Sequence, residues 1–340
     1  MDVKPDDTAD TSRHLLDVRD LRVEFHTHDG VVRALNGVSY YVNAGESLAV
    51  LGESGSGKSV SAQAIMGILD TPPAKVAGGT IRYRGEDMLT MREDQRRRIR
   101  GAEIAMVFQD ALSALNPVFT VGFQISENLR RRLGMSKSDA YRRAVELMDL
   151  VRIPAAKDRV KDFPHQFSGG MRQRVMIAMA LALDPAVLIA DEPTTALDVT
   201  VQAQIMDLLA DLRRDLDMAL ILITHDLGVV ADVADRIAVM YAGRIVENAN
   251  VHDLYSNPGH PYTEGLLASI PRVDLKGQQL KSIKGMPPNM LHPPSGCPFH
   301  PRCTYAQDIC TQEDPPLRDV GVQRSSACHY AEEVLDGARD

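Results

Sequence analysis

Residues 52–59 read GESGSGKS, a G-x-x-x-x-G-K-S/T pattern between a short apolar run, SLAVL, and an apolar stretch, VSAQAIMGIL. Strand, glycine-rich turn and helix in that order make a phosphate cradle. The glycines let backbone N–H groups turn inward, and the helix N-terminus adds favourable partial charge. Lys58 is placed to reach the β- and γ-phosphates of a nucleotide, and Ser59 to give a hydroxyl to Mg2+. Gly52, Glu53, Ser54, Gly55, Ser56, Gly57 and Val60 complete this binding segment. Residues 186–192, AVLIADE, read as a buried strand ending in two carboxylates. Asp191 suits the Mg2+ shell, and Glu192 is placed to polarise attacking water as a general base. Residues 167–174, FSGGMRQR, put Ser168, Gly169 and Gly170 at the start of an apolar helix, a second anion site. One nucleotide needs only one phosphate loop, so the second site asks for an explanation.

His225 follows the run ALILIT, where a side chain projects from the carboxyl end of a strand and α/β folds bind ligands. A different chemistry is suggested near the other end of the chain. Its four cysteines are Cys297, Cys303, Cys310 and Cys328, with gaps of 5, 6 and 17 residues. Structural zinc sites usually pair their ligands across gaps of about two to four residues. The wider spacing suits an iron–sulfur cluster, which wants four thiolates. Zinc, with His300 or His329 as a ligand, and free thiols are the alternatives.

The elements that must position these groups alternate between strand and helix. Residues 16–25 alternate apolar and polar, and 47–51, 187–190, 219–223 and 237–241 are short apolar runs, so an α/β core is expected. From 111 to 167 the strand signal fades. Residues 124–133 and 138–151 have helical periodicity, which predicts a helical subdomain inserted in that core. Beyond about residue 258 prolines cluster and periodicity is lost, which predicts a boundary. Residues 1–13 are polar and acidic, expected as a disordered leader and not a signal peptide. The longest apolar run, 175–183, is far short of the roughly 20 residues that span a bilayer. A cytoplasmic location is therefore expected, where disulfides are rare and clustered cysteines more often bind metal. The chain has 340 residues and a net charge of −8, which argues against a nucleic-acid binder. The basic runs 96–98 and 130–132 are expected to be solvated helix faces.

Taken in order, GESGSGKS, FSGGM, LIADEP, Ala196-Leu197-Asp198 and Thr224-His225-Asp226 resemble the motif set of ABC-transporter ATPases over roughly residues 15–258. The resemblance implies an α/β P-loop NTPase of ABC type, with a RecA-like core, an antiparallel β-subdomain and the inserted helical subdomain. The ATPase domain would occupy 14–258, followed by a Cys/Pro-rich accessory region over 259–340. It also implies a head-to-tail dimer in which each ATP lies between one subunit's P-loop and the other's Ser-Gly-Gly turn. By position, Gln109 becomes the Q-loop residue that links Mg2+ to the transport subunits. Ser168, Gly169 and Gly170 bind the γ-phosphate of the partner's nucleotide, Asp198 is the D-loop residue, and His225 is the switch histidine. Phe25 matches the aromatic that stacks on adenine, with His26 and His28 as alternatives and core packing as the plain reading. Phe167 and Met171 depart from the commoner Leu-Ser-Gly-Gly-Gln signature but leave the phosphate-binding Ser-Gly-Gly intact.

DALSALNP (110–117), FSGGMRQR, NPGHPYTEGLL (257–267) with the following Ile270-Pro271, and GCPFHPRC (296–303) look like the ATPase subunits of bacterial dipeptide and oligopeptide permeases. That likeness implies ATP and Mg2+, a second and different ATPase subunit, two transmembrane subunits and an extracytoplasmic binding protein. It further implies a peripheral place on the inner membrane's cytoplasmic face and a [4Fe–4S] cluster on the four cysteines, read as a staple before a redox sensor. Importers of nickel or other small solutes share the tail. Soluble ABC ATPases of DNA repair or translation fit less well, because they usually carry two cassettes or coiled-coil insertions.

Overall fold

The structure is a computed structural model that describes residues 14–195, 197–270 and 283–337; the expected leader, Ala196 and Pro271 lie outside them. The strands in chain order are β1 (Leu16–Thr27), β2 (Gly30–Val42), β3 (Ser47–Leu51), β4 (Ala74–Tyr83), β5 (Glu86–Asp87), β6 (Ile104–Val107), β7 (Val187–Asp191), β8 (Ala219–Thr224), β9 (Arg236–Tyr241), β10 (Arg244–Asn250), β11 (Arg318–Gly321) and β12 (Arg324–Ser326). Two compact units divide them. One comprises residues up to 43, 47–90 and those from 224 onward; the other comprises 44–46 and 91–223.

The first unit contains an antiparallel sheet in the order β2-β1-β4-β5. Leu16, Val18, Leu21 and Val23 of β1 are buried, and the alternation breaks where a register shift separates Val18 from Leu21. A second set of strands runs β11-β12-β10-β9-β3. β3 and β9 pair in parallel, Leu48 with Arg236 through Leu51 with Val239. Both strands are buried along their length, which is why each reads as an almost unbroken apolar run and not as an alternation. β10 returns antiparallel to β9.

Residues beyond 283 do not stand as a unit of their own. β12 pairs with β10, Glu247 opposite Ser326, and β11 closes a small hairpin on β12. A buried ion pair holds this edge: Arg324 donates to the Glu247 carboxylate at 3.0 Å, and the Gly259 N–H donates to the same oxygen at 2.6 Å. Glu247 is fully buried, and burial pushes its carboxyl pKa above the ordinary range, against the pull of its hydrogen-bond donors. Arg324 also donates to the Asn257 carbonyl, which ties the hairpin to the segment after β10.

The second unit has the parallel strands β8-β7-β6, buried along the stretches that pair, with Val187 beside both Ala219 and Ile104. Helices Val121–Leu133 and Lys137–Leu150 lie in the segment expected to be helical. The first starts three residues before the stretch whose periodicity marks it, because the Thr120 hydroxyl caps it by accepting the Phe123 N–H at 3.3 Å. The basic runs sit in the last turns of helices Glu93–Ile99 and Val121–Leu133, where cations suit the helix dipole. Among the described residues no helix is long and apolar enough to cross a membrane.

Arg324→Ala strands a fully buried carboxylate, so a loss of about 3–5 kcal/mol is expected. Thermal melting checks it: the variant should melt well below the wild type, and Glu247→Gln added to it should recover part of the loss. An unchanged melting temperature would show that the pair does not hold the edge.

Candidate functional site

In the first unit the phosphate loop joins β3 to helix Lys58–Met66. Gly57, the residue before the helix, has φ +103°, and a Cβ there would meet the Ala34 carbonyl at 2.6 Å and the Met240 side chain at 2.9 Å. Only glycine lets the loop lie this close to β2 and β9. The Gly243 N–H donates to the Ser56 carbonyl at 2.9 Å, a further tie to the turn between β9 and β10. The Lys58 ammonium is buried and donates to the Gly52 carbonyl at 2.8 Å and the Glu53 carbonyl at 3.0 Å. It is thus held inside the loop, where a β- or γ-phosphate would meet it. Ser59 and Val60 follow in the first turn of the helix.

Glu53 is gripped from outside the loop. Its N–H donates to the Tyr262 hydroxyl at 2.8 Å, and its carboxylate accepts two hydrogen bonds from Arg302, at 2.6 and 2.9 Å. Neither partner was among the expected site residues. Arg302 lies 249 positions away, and a local motif gives no signal for such a contact. Phe25 stands near the end of β1, half-buried, opposite Val32 and Ala74. His225 is exposed in the turn after β8, a turn fixed by the Asp226 N–H donating to Thr224 Oγ1 at 3.1 Å and by Asp226 capping the Gly228 N–H at 2.8 Å.

The second unit carries the other half of the expected set. β7 ends at the buried Asp191, and Glu192 follows in the left-handed region at φ +45°, its N–H donating to the Ile223 carbonyl at 2.8 Å. That conformation is uncommon for a residue with a Cβ and marks stored strain. Gln109 donates to Glu192 Oε2 at 3.1 Å, and the Thr195 hydroxyl donates to the same oxygen at 3.0 Å. The structure therefore brings Gln109 and Glu192 together and adds Thr195, which was not among the expected residues; only its place just after Asp-Glu could have flagged it.

Ser168 caps helix Gly169–Ala180 by accepting the Met171 N–H at 3.3 Å. A Cβ on Gly170 would lie 2.5 Å from Val201 Cγ1, so the Ser-Gly-Gly turn packs directly on helix Val199–Asp215. Asp198 caps that helix through the Val201 N–H at 3.0 Å. Phe167 is buried and its carbonyl accepts from Arg172 at 2.8 Å. Its unusual side chain is thus core packing beside the turn, and it does not replace the Ser-Gly-Gly groups.

The four cysteines, all free thiols, line one small cavity together with His260, Phe299 and Tyr305. Burial pushes the Cys303 thiol up to about 11 and the Cys328 thiol up to about 12, with the neighbouring cysteines adding to the shift; burial also raises Cys297. Among the described residues no group of three or more His, Cys, Asp or Glu side chains is arranged to hold a metal ion. Of the two histidines considered as zinc ligands, His300 pairs through Nδ1 with the Cys297 carbonyl at 2.9 Å and His329 through Nε2 with the Glu313 carbonyl at 3.0 Å.

Residues 35–195 match the family described as ABC transporter, and residues 246–310 match the oligopeptide/dipeptide transporter C-terminal region. The oligopeptide transport ATP-binding protein OppD of Bacillus subtilis is 51% identical over 322 residues, covering 94% of this chain and 88% of that protein. The dipeptide transport ATP-binding protein DppD of the same organism is 51% identical over 301 residues, covering 88% and 90%. Among solved structures, the dimeric ATP-binding cassette MJ0796, in a post-hydrolysis state bound to ADP and Pi, superposes with a TM-score of 0.62 at 28% identity, covering 69% of this chain and 98% of that one.

Glu192→Gln keeps an acceptor for Gln109 and Thr195 but removes the carboxylate expected to act as base. Nucleotide binding should persist while hydrolysis falls by about 10²–10⁴-fold, the usual range for a general base. A steady-state phosphate-release assay alongside a binding titration separates the two, and wild-type turnover in the variant would remove Glu192 from this role.

Proposed function

Because the chain belongs to the ATP-binding subunits of oligopeptide and dipeptide ABC transporters, and is an ATPase that works with permease subunits and a substrate-binding protein, we propose that it is one half of a heterodimeric motor. The observation that carries this reading is the pair of half-sites. One unit holds the phosphate loop with Lys58, and the other holds a second anion turn built on Ser168, Gly169 and Gly170. A partner subunit arranged head to tail accounts for both, each ATP lying between one chain's loop and the other's Ser-Gly-Gly turn.

In this reading the backbone of residues 52–60 and Lys58 hold the phosphates, and Phe25 stacks on adenine. Ser59, Gln109 and Asp191 would hold the Mg2+ that arrives with ATP, which would neutralise charge on the phosphates. Glu192 takes a proton from the attacking water. The water oxygen bonds to the γ-phosphorus, and the bond from that phosphorus to the bridging oxygen breaks, giving ADP and phosphate. His225 touches the γ-phosphate, and Asp198 lies at the dimer contact. Gln109 sits on both the base and the chain leading to residues 110–117, so it reports the nucleotide's state outward. Exposed Val118, Phe119 and Phe123 form an apolar patch just beyond, with Phe119 stacked on Phe123 at 4.7 Å, and this supports docking of the membrane subunits' cytoplasmic loops there.

The ATPase cassette is proposed to span 14–258 and an accessory region 259–340. Cys297, Cys303, Cys310 and Cys328 would hold a [4Fe–4S] cluster, which when bound supplies a cross-link between stretches of a proline-rich tail that bury little apolar surface. Loading displaces thiol protons, so the raised thiol pKa values make retention weaken as pH falls. The chain is placed at the cytoplasmic face of the bacterial inner membrane, held there by its transmembrane partners.

Uptake of labelled di- and oligopeptides by cells lacking this chain tests the transport role. Wild-type chain should restore uptake and Lys58→Ala should not; restored nickel uptake without peptide uptake would overturn the peptide reading. For the tail, protein purified without oxygen should be brown and carry about four irons per chain. Zinc without iron would overturn the cluster.

A further inference from the structure

Arg302 lies in the cysteine-bearing turn, between Cys297 and Cys303, yet its side chain is spent entirely elsewhere. Only 5% of it is exposed. Its Nη1 and Nη2 donate to both carboxylate oxygens of Glu53, Nη1 also reaches the Tyr241 hydroxyl at 3.3 Å, and Nε donates to the Lys284 carbonyl at 3.2 Å. The backbone of the turn fixes where that side chain starts. Cys297 N–H donates to the Cys310 carbonyl, Arg302 N–H to the Phe299 carbonyl, and Cys303 N–H to the His300 carbonyl. Phe299 packs on Tyr241 and Tyr262, with ring centroids 5.2 and 5.4 Å apart. Pro287, Pro288 and Met290 of the same tail line a crevice with Glu53, Ser54, Gly55 and Ser56.

Glu53 is the second residue of the phosphate loop, and one of the two carbonyls that hold Lys58 is its own. Its carbonyl accepts from the Lys58 ammonium and from the Ser56 N–H, its own N–H is held by Tyr262, and its side chain is held by Arg302. A carboxylate at this point also opposes a triphosphate electrostatically unless a cation neutralises it. A bidentate guanidinium does both jobs, fixing the carboxylate's position and cancelling its charge.

We propose that Arg302 is a positioning residue for ATP: it neutralises and clamps Glu53, so that the cysteine-bearing turn sets the affinity of the phosphate loop for the triphosphate. This rests on the reading of residues 52–59 as the ATP site. It gives the tail a role at the nucleotide that stapling the tail alone does not require.

The test is a titration of the full-length chain with Mg2+ and a fluorescent ATP analogue, for wild type, Arg302→Ala, Glu53→Gln and the double variant, with iron content measured in each. Arg302→Ala leaves a bare carboxylate in the loop and should weaken binding by about tenfold or more, because an uncompensated negative charge repels the phosphates. Turnover at saturating ATP should stay within about twofold of wild type, as expected when ground-state and transition-state binding are lost together. Glu53→Gln alone should bind at least as tightly as wild type, and adding it to Arg302→Ala should recover most of the loss. An arginine that only held the fold would show its loss, and the rescue, in the melting temperature and not in nucleotide affinity. If Arg302→Ala does not fold, Arg302→Gln carries the same comparison. Wild type that binds while Arg302→Ala and Arg302→Gln bind equally well overturns this inference alone, and so does a double variant as weak as the single one. Wild type that binds no nucleotide overturns the ATP site and this inference with it.

Discussion

Backbone N–H groups can wrap a phosphate only where no side chain stands between them and the ligand, and a loop stripped of side chains has little with which to hold its own shape. Residues 52–59 resolve this by leaning on their surroundings. Gly57 lies against β2 and β9 at distances no Cβ would permit, Ser56 is tied to Gly243, and Glu53 is gripped by Tyr262 and Arg302. Lys58, the one strong cation in the loop, is steadied by two carbonyls of the loop itself. The buried strands β3 and β9, and the tail segment that supplies Arg302, are in this sense the walls of a phosphate site.

The second unit fixes the carboxylate proposed as the base. Glu192 leaves β7 in a left-handed conformation, and one of its carboxylate oxygens accepts from both Gln109 and Thr195. A carboxylate held by two donors has few orientations to lose, which would preorganise it for the base role proposed for it. The Ser-Gly-Gly turn is equally fixed, with Gly170 pressed on Val201 and Ser168 and Asp198 capping adjoining helices.

Much of this is legible in the sequence because it is local. GESGSGKS, LIADE and FSGGM each place chemistry within eight residues, between elements whose periodicity announces them, and relatives at about half identity carry the oligopeptide and dipeptide names. What the sequence hides is long-range. The Arg302–Glu53 pair spans 249 positions, and Thr195 becomes visible only when the turn after Glu192 is drawn in three dimensions. Strands β11 and β12 were equally hidden, since a four-residue and a three-residue strand in a proline-rich segment are too short for alternation to show. Helix Val121–Leu133 begins earlier than its apolar periodicity indicates because a threonine cap sets its start.

The tail therefore belongs with the cassette in physical terms. It adds strands to the edge of β10, buries an arginine against Glu247, and reaches the phosphate loop with another. ATP hydrolysis by this chain is coupled to the import of peptides. The most direct measurement is phosphate release by the chain assembled in liposomes with its partner ATPase and membrane subunits, as binding protein is added empty or loaded with peptide. The peptide-loaded binding protein should raise the rate several-fold over the empty one. The same rate with and without peptide, from an assembly that hydrolyses ATP, would contradict it.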